Sequence, residues 1–157
     1  MSSGKLLVGF MLASAIVMGG GVYYTQVYAY FDEVPADQVD LRLITKATGQ
    51  AETLQAEALE AIDKTSSPLG FRACFTTSQT QEFLAETFQP MPDAIPLQGP
   101  SWFSCYDAFE VGTALERGEA MAFLGERNIR DGVDRVIAIM PDGRGFVWHQ
   151  LNEKYKD

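Results

Sequence analysis

The chain has 157 residues, 46% of them hydrophobic, with 12 basic against 21 acidic side chains and a net charge of −9. An acidic surface gains nothing from phosphate contacts and is repelled by anionic headgroups, so this balance argues against nucleic acid and favours proteins, basic ones among them, or neutral ligands. The length leaves room for one ordinary domain.

Charge is distributed unevenly. From Leu6 to Phe31 there are 26 consecutive uncharged residues, whereas all 21 acids and 11 of the 12 bases follow that run. A helix needs about 20 apolar residues to cross roughly 30 Å of hydrocarbon, so residues 1–31 are expected to be a transmembrane signal-anchor. Val27-Tyr28-Ala29 also resembles a small-residue cleavage site, which leaves removal of residues 1–29 as the alternative. Against cleavage stand the length of the run and its exit through Tyr23, Tyr24, Tyr28, Tyr30 and Phe31, an aromatic belt of the kind found at a bilayer surface. Lys5 precedes the span and Asp32, Glu33, Asp37 and Asp40 follow it. The positive-inside rule then keeps the N-terminus cytoplasmic and places the remaining chain outside. Gly19, Gly20 and Gly21 offer a smooth helix-packing patch to a partner helix, or form a run tolerated in a lone anchor.

Residues 32–38, with Pro35 and several acids, read as a connector, and residues 39–157 as an extracytoplasmic domain. Val39 to Lys46 is expected as a strand with Leu41 and Leu43 on one face. Gln50 to Lys64, rich in Ala, Glu, Gln and Leu, has Leu54, Ala58, Ala61 and Ile62 at helical spacing and is expected as an amphipathic helix. Phe71 to Phe75 alternates like a strand. Ser78 with Gln81 suggests a capping box for a helix ending at Phe88, before Pro90. Gln89 to Ser101 holds Pro90, Pro92, Pro96 and Pro100, so a surface loop is expected there. Ser104 is then expected to cap a helix through Arg117, with Ala108, Val111, Gly112 and Leu115 facing the core and Gly118 closing it.

Three strands should complete the domain: Ala120–Arg127, Val133–Met140 and Gly145–Leu151. Pro141-Asp142-Gly143-Arg144 is a strong hairpin signal, and pairing Ile139 with Phe146 would set Ile137 opposite Trp148 and Val136 opposite His149. The expected fold class is α+β, a mostly antiparallel sheet with helices packed on one side.

Cys74 and Cys105 are the only cysteines, and outside the cytoplasm the simplest reading is a disulfide closing the loop of prolines. The alternative makes Cys105, at a helix N-terminus, a reactive thiol. His149 is the sole histidine and reads as a packing residue sooner than a base. No catalytic residue, cofactor or metal set is called: the sequence has no HExxH, CxxCH, GxSxG or phosphate-binding glycine loop. Arg117, Arg127, Arg130, Arg135 and Arg144 would make an anion or carboxylate site if they converged. Interleaved with acids, they read instead as a solvated face with surface ion pairs.

The Tyr23-Tyr24-Thr25-Gln26-Val27-Tyr28-Ala29-Tyr30 exit, the Phe71-Arg72-Ala73-Cys74-Phe75 strand, and the stretch from Phe123-Leu124-Gly125-Glu126-Arg127-Asn128 through Pro141-Asp142-Gly143-Arg144-Gly145-Phe146 to Trp148-His149-Gln150-Leu151 are similar to a family of small, uncharacterised alphaproteobacterial membrane-anchored proteins. The resemblance implies a Gram-negative inner-membrane protein with a periplasmic domain; no activity comes with it. Two function classes follow. The preferred one is a non-enzymatic accessory or assembly protein that binds a membrane protein complex through its span and a surface made by Pro96, Trp102 and Phe103. The alternative is a thiol-dependent or hydrolytic enzyme using Cys105 and His149.

Overall fold

The computed structural model describes residues 2–155, so the outermost ends of the expected anchor and domain, Met1, Lys156 and Asp157, lie outside the described residues. Helix α1, Ser3–Tyr24, continues through a π-helical turn, Thr25–Ala29. The resulting apolar helix of 27 residues has no buried residue in its most apolar window. Length and composition fit it to cross a membrane.

The expected connector begins instead as a strand. β1, Phe31–Val34, pairs antiparallel with β4, Glu57–Lys64, and only after Pro35 does the chain turn out of the sheet. Between them β2, Arg42–Ile44, and β3, Ala51–Thr53, form a separate hairpin. β2 crosses close over β6, Met121–Arg130, where a Cβ on Gly125 would meet the carbonyl oxygens of Arg42 and Arg135, each at 3.2 Å. Completing the main sheet are β5, Arg72–Thr76, β7, Val133–Ile139, and β8, Arg144–Leu151, in the order β1-β4-β5-β8-β7-β6 with every neighbour antiparallel.

The α+β class holds, but the helices do not share a side. Helix α2, Gln81–Thr87, buries Leu84 against Phe75, Phe123, Ile137 and Val147 on the face that β2 and β3 also cover. Helix α3, Ala108–Glu116, buries Val111 and Ala114 against Val136, Phe146 and Trp148 on the other face. A sheet with apolar residues on both faces needs cover on both. Alternation along β7 and β8 sends Ile137, Ile139 and Val147 one way and Val136, Ala138, Phe146 and Trp148 the other.

Four local expectations are corrected. Gln50–Lys64 is not a helix: Gly49 at φ +69° turns the chain, and β3 and β4 follow. Helix propensity in this segment amounts to tenths of a kcal/mol per residue, less than the hydrogen bonds and burial that β4 gains between β1 and β5. α2 starts two residues later than Ser78 and Gln81 suggest. Thr80 accepts from the Phe83 amide, and Gln81 donates across to the carbonyls of Glu119 and Ile139. α3 likewise starts at Asp107, whose carboxylate accepts from the amides of Phe109 and Glu110, so Cys105 is outside the helix. Finally, the β7–β8 turn has three residues, Pro141-Asp142-Gly143, with the Gly143 amide bonded to the Met140 carbonyl and Gly143 at φ +87°. Proline suits the second position of such a turn and glycine its left-handed last one. Ile139 therefore faces Gly145, Val136 faces Trp148, and Arg135 faces His149.

The proline loop is ordered by side chains from the sheet. Four prolines remove amides and leave carbonyls to be satisfied, and buried Arg72 donates to those of Leu97 at 2.8 Å and Gln98 at 2.9 Å. Gln150, also buried, accepts from the Ile95 amide at 3.0 Å and donates to the Asp93 carbonyl at 3.3 Å. The Cys74–Cys105 disulfide joins β5 to the chain leaving this loop.

Candidate functional site

Two places gather the residues singled out above, and they lie on different faces of the sheet. The first is where the apolar helix meets the domain. Trp102 donates from Nε1 to the Val27 carbonyl at 2.7 Å, stacks on Tyr28 with ring centroids 6.5 Å apart, and meets the edge of Phe31 at 6.2 Å. A π-helical turn shifts the backbone pairing from i+4 to i+5, and here one of its carbonyls is taken by a side chain. Trp102 is thus half-buried at a junction, Phe103 is only 7% exposed in the core under α3, and Pro96 is half-buried. The three do not form one exposed surface. The outward apolar groups nearby are Ile95, 63% exposed, and Phe109, 81% exposed, which line a shallow groove with Pro96. Gly19, Gly20 and Gly21 have nothing within 4 Å of an added Cβ.

The second place is an open cleft of about 730 Å³ at the far end of β7 and β8. Asp63 to Pro68, the turn after β4, forms one wall, and Ile129, Arg130, Arg135 and His149 form the other. Gly70 lets that turn fold back, since a Cβ there would lie 2.0 Å from Lys64 Cβ. The corrected hairpin register is what makes Arg135 and His149 neighbours.

His149 Nε2 lies 3.1 Å from Arg135 Nε, and Nδ1 lies 3.0 Å from the Pro68 carbonyl. A guanidinium can only donate, so Nε2 accepts and Nδ1 carries the proton. Burial pushes the imidazole down to about 4, and the Arg135 charge acts the same way against the Pro68 bond. Both ring nitrogens are occupied in a neutral ring, which makes His149 a holder of Arg135 and not a free base. Arg135 lies 4.4 Å over the Phe71 ring, which also stacks on His149 at 4.9 Å. Its pKa is lowered, chiefly by burial, although Glu126, Asp63 and Asp40 oppose this through space.

Of the five arginines read as a solvated face, Arg144 fits: it pairs with Glu110 at 2.9 Å and Asp142 at 2.8 Å in the open. Arg130 and Arg135 instead converge on the cleft and form no ion pair among the described residues. The proposed use of Cys105 with His149 finds no shared site. Cys105 is bonded to Cys74 and packs on the α3 face, and His149 stacks on Phe71 on the other. Among the described residues no group of three His, Cys, Asp or Glu side chains is placed to hold a metal ion.

Residues 41–157 match the Family of unknown function (DUF6446). The chain belongs to that family. The matched region runs from Leu41 through both sheet faces and the cleft, and leaves α1 and β1 outside it. No curated protein and no solved structure matches.

Sequence reading missed Arg72, Gln150 and the pairing of Arg135 with His149. A loop with four prolines beside a strand carrying a lone buried arginine is a readable sign of the first. Pro-Asp-Gly counted as a three-residue turn yields the last.

Proposed function

We propose that this protein is a single-pass inner-membrane protein of an alphaproteobacterial cell, N-terminus cytoplasmic and domain periplasmic, acting as a non-enzymatic accessory or assembly factor for a membrane protein complex. The observation that carries this reading is the clamped junction: Trp102 fastens the domain to the end of a helix that has no protein cover within its own chain. A long flexible linker would let the domain roam, whereas this junction fixes which way its surfaces face relative to the helix. Lipid or a partner helix covers α1, and the glycine patch is where a second backbone could approach. On the domain, Phe109 and Ile95 are large apolar groups left in water, the composition of a contact patch.

The test is co-purification of full-length protein in mild detergent. A defined membrane protein is expected in fixed ratio, and Phe109→Ser and Gly20→Ile should each reduce its recovery about tenfold or more while the melting midpoint stays unchanged. No stoichiometric partner, or a partner retained by both variants, would overturn the reading.

A further inference from the structure

We propose that the cleft between the turn after β4 and the ends of β6, β7 and β8 binds a small carboxylate through Arg135 and Arg130. The ligand is a free organic acid or the C-terminal carboxylate of a peptide. This role is separate from anchoring and partner contact, which use the other end of the molecule's chemistry: apolar groups on α1 and around α3.

Two half-hidden arginines show the contrast from which the inference starts. Arg72 is buried and fully occupied, donating to the carbonyls of Leu69, Phe71, Leu97 and Gln98 at 2.6–2.9 Å. That is a structural arginine, with backbone oxygens in place of water. Arg135 loses water as well but receives far less in return. Its Nε meets neutral His149, and Nη1 reaches the Asp40 carbonyl at only 3.4 Å. No carboxylate comes within ion-pair distance among the described residues. A partly desolvated cation without a paired anion is costly to maintain, and Arg135 lines the open cleft.

The cleft's composition selects the ligand's class. Because Nε is taken by His149, the edge formed by the two terminal nitrogens is what a ligand can use: Nη2 has no partner among the described residues and Nη1 only the long bond to the Asp40 carbonyl, and two such nitrogens match the two oxygens of a carboxylate. His149 and Phe71 hold the guanidinium in place before any ligand arrives. Arg130 adds a second positive charge and Asp63 a negative one, while Lys64 directs its ammonium over the Phe31 ring at 5.2 Å. With Lys64, Arg130 and Arg135 against Asp63 the lining has a surplus of two positive charges, which suits an anion, and Ile129 and Pro68 beside them suit the carbon chain that an organic acid carries and inorganic phosphate lacks. Ser66 and Ser67 also line the cleft, and about 730 Å³ admits a ligand larger than the carboxylate itself.

Titration calorimetry on the full chain in detergent micelles tests this, using succinate, N-acetyl-alanyl-alanine, the amide of that peptide, and inorganic phosphate. Saturable binding of at least one carboxylate with Kd of about 1 mM or tighter is expected, with the amide and phosphate weaker by about tenfold or more. Succinate alone would identify a free acid, the peptide alone a chain terminus, and both together a general carboxylate site; each supports the proposal. Arg130→Gln should weaken binding about tenfold without moving the thermal midpoint, and Arg135→Lys should fail to bind, since an ammonium lacks the paired geometry. Arg130, whose side chain makes no hydrogen bond or ion pair among the described residues, keeps the test decisive if Arg135 variants unfold. Absence of saturable binding up to about 10 mM, equal binding by the amide or phosphate, or affinity unchanged in Arg130→Gln would overturn it.

Discussion

His149 is kept uncharged by its neighbours, and that has a measurable cost in acid. Its folded value is about 4, against 6.5 for a free imidazole, so between those limits the unfolded chain binds one more proton than the native one. The stability this ring contributes is complete above pH 6.5 and declines as the pH falls toward 4, by up to about 3 kcal/mol. Urea midpoints of wild type and His149→Gln at pH 7 and pH 4.5 should therefore diverge, the variant losing less on acidification. Identical losses would show that the ring titrates normally. Its burial as a packing residue was legible from its place beside Trp148 in an apolar strand. Its bond to Arg135 was not, because a one-residue change in hairpin register changes every cross-strand partner.

Among the elements, the disulfide and the loop it bounds act together. The bridge closes 31 residues, for which loop entropy suggests about 3–4 kcal/mol. Cys74→Ser and Cys105→Ser should each lower stability by that order, and the double variant by little more, because either change opens the same loop. Denaturant midpoints measured with and without reductant check this; a wild-type midpoint indifferent to reductant would sink it. The bridge was readable from two cysteines and the expectation of an oxidising compartment. The strands β5, β7 and β8 were readable from alternation and turn residues, and the long apolar helix from missing charge. β4 was hidden because its residues are individually good helix formers, and what makes it a strand is its two neighbours, β1 and β5, one from each side. A bulge between Glu57 and Glu60, with Ala58 at φ +50°, further breaks the alternation that would have marked it.

At the scale of the whole molecule, the junction bears on whether the helix remains attached. Cleavage after Ala29 would remove Val27 and Tyr28, leaving the Trp102 indole N–H without its acceptor and its ring without its stacking partner. The mature protein is therefore expected to retain α1, and a phosphatase reporter fused after Asp157 to be active only outside the cytoplasm. Intact mass measured on membrane fractions tests the first, and finding a chain that starts at Tyr30 would refute it.

The strand order also has a consequence for biosynthesis. Among the described strands β8 is made last, yet it sits between β5 and β7, in the middle of the sheet. Until it arrives, no strand pairing joins β1-β4-β5 to β7-β6. Trp148 and Val147, among the most deeply buried side chains, also arrive with it. The six-stranded sheet is incomplete until β8 is made. A message truncated before Arg144 would yield two half-sheets with open edges, which are substrates for aggregation and proteolysis.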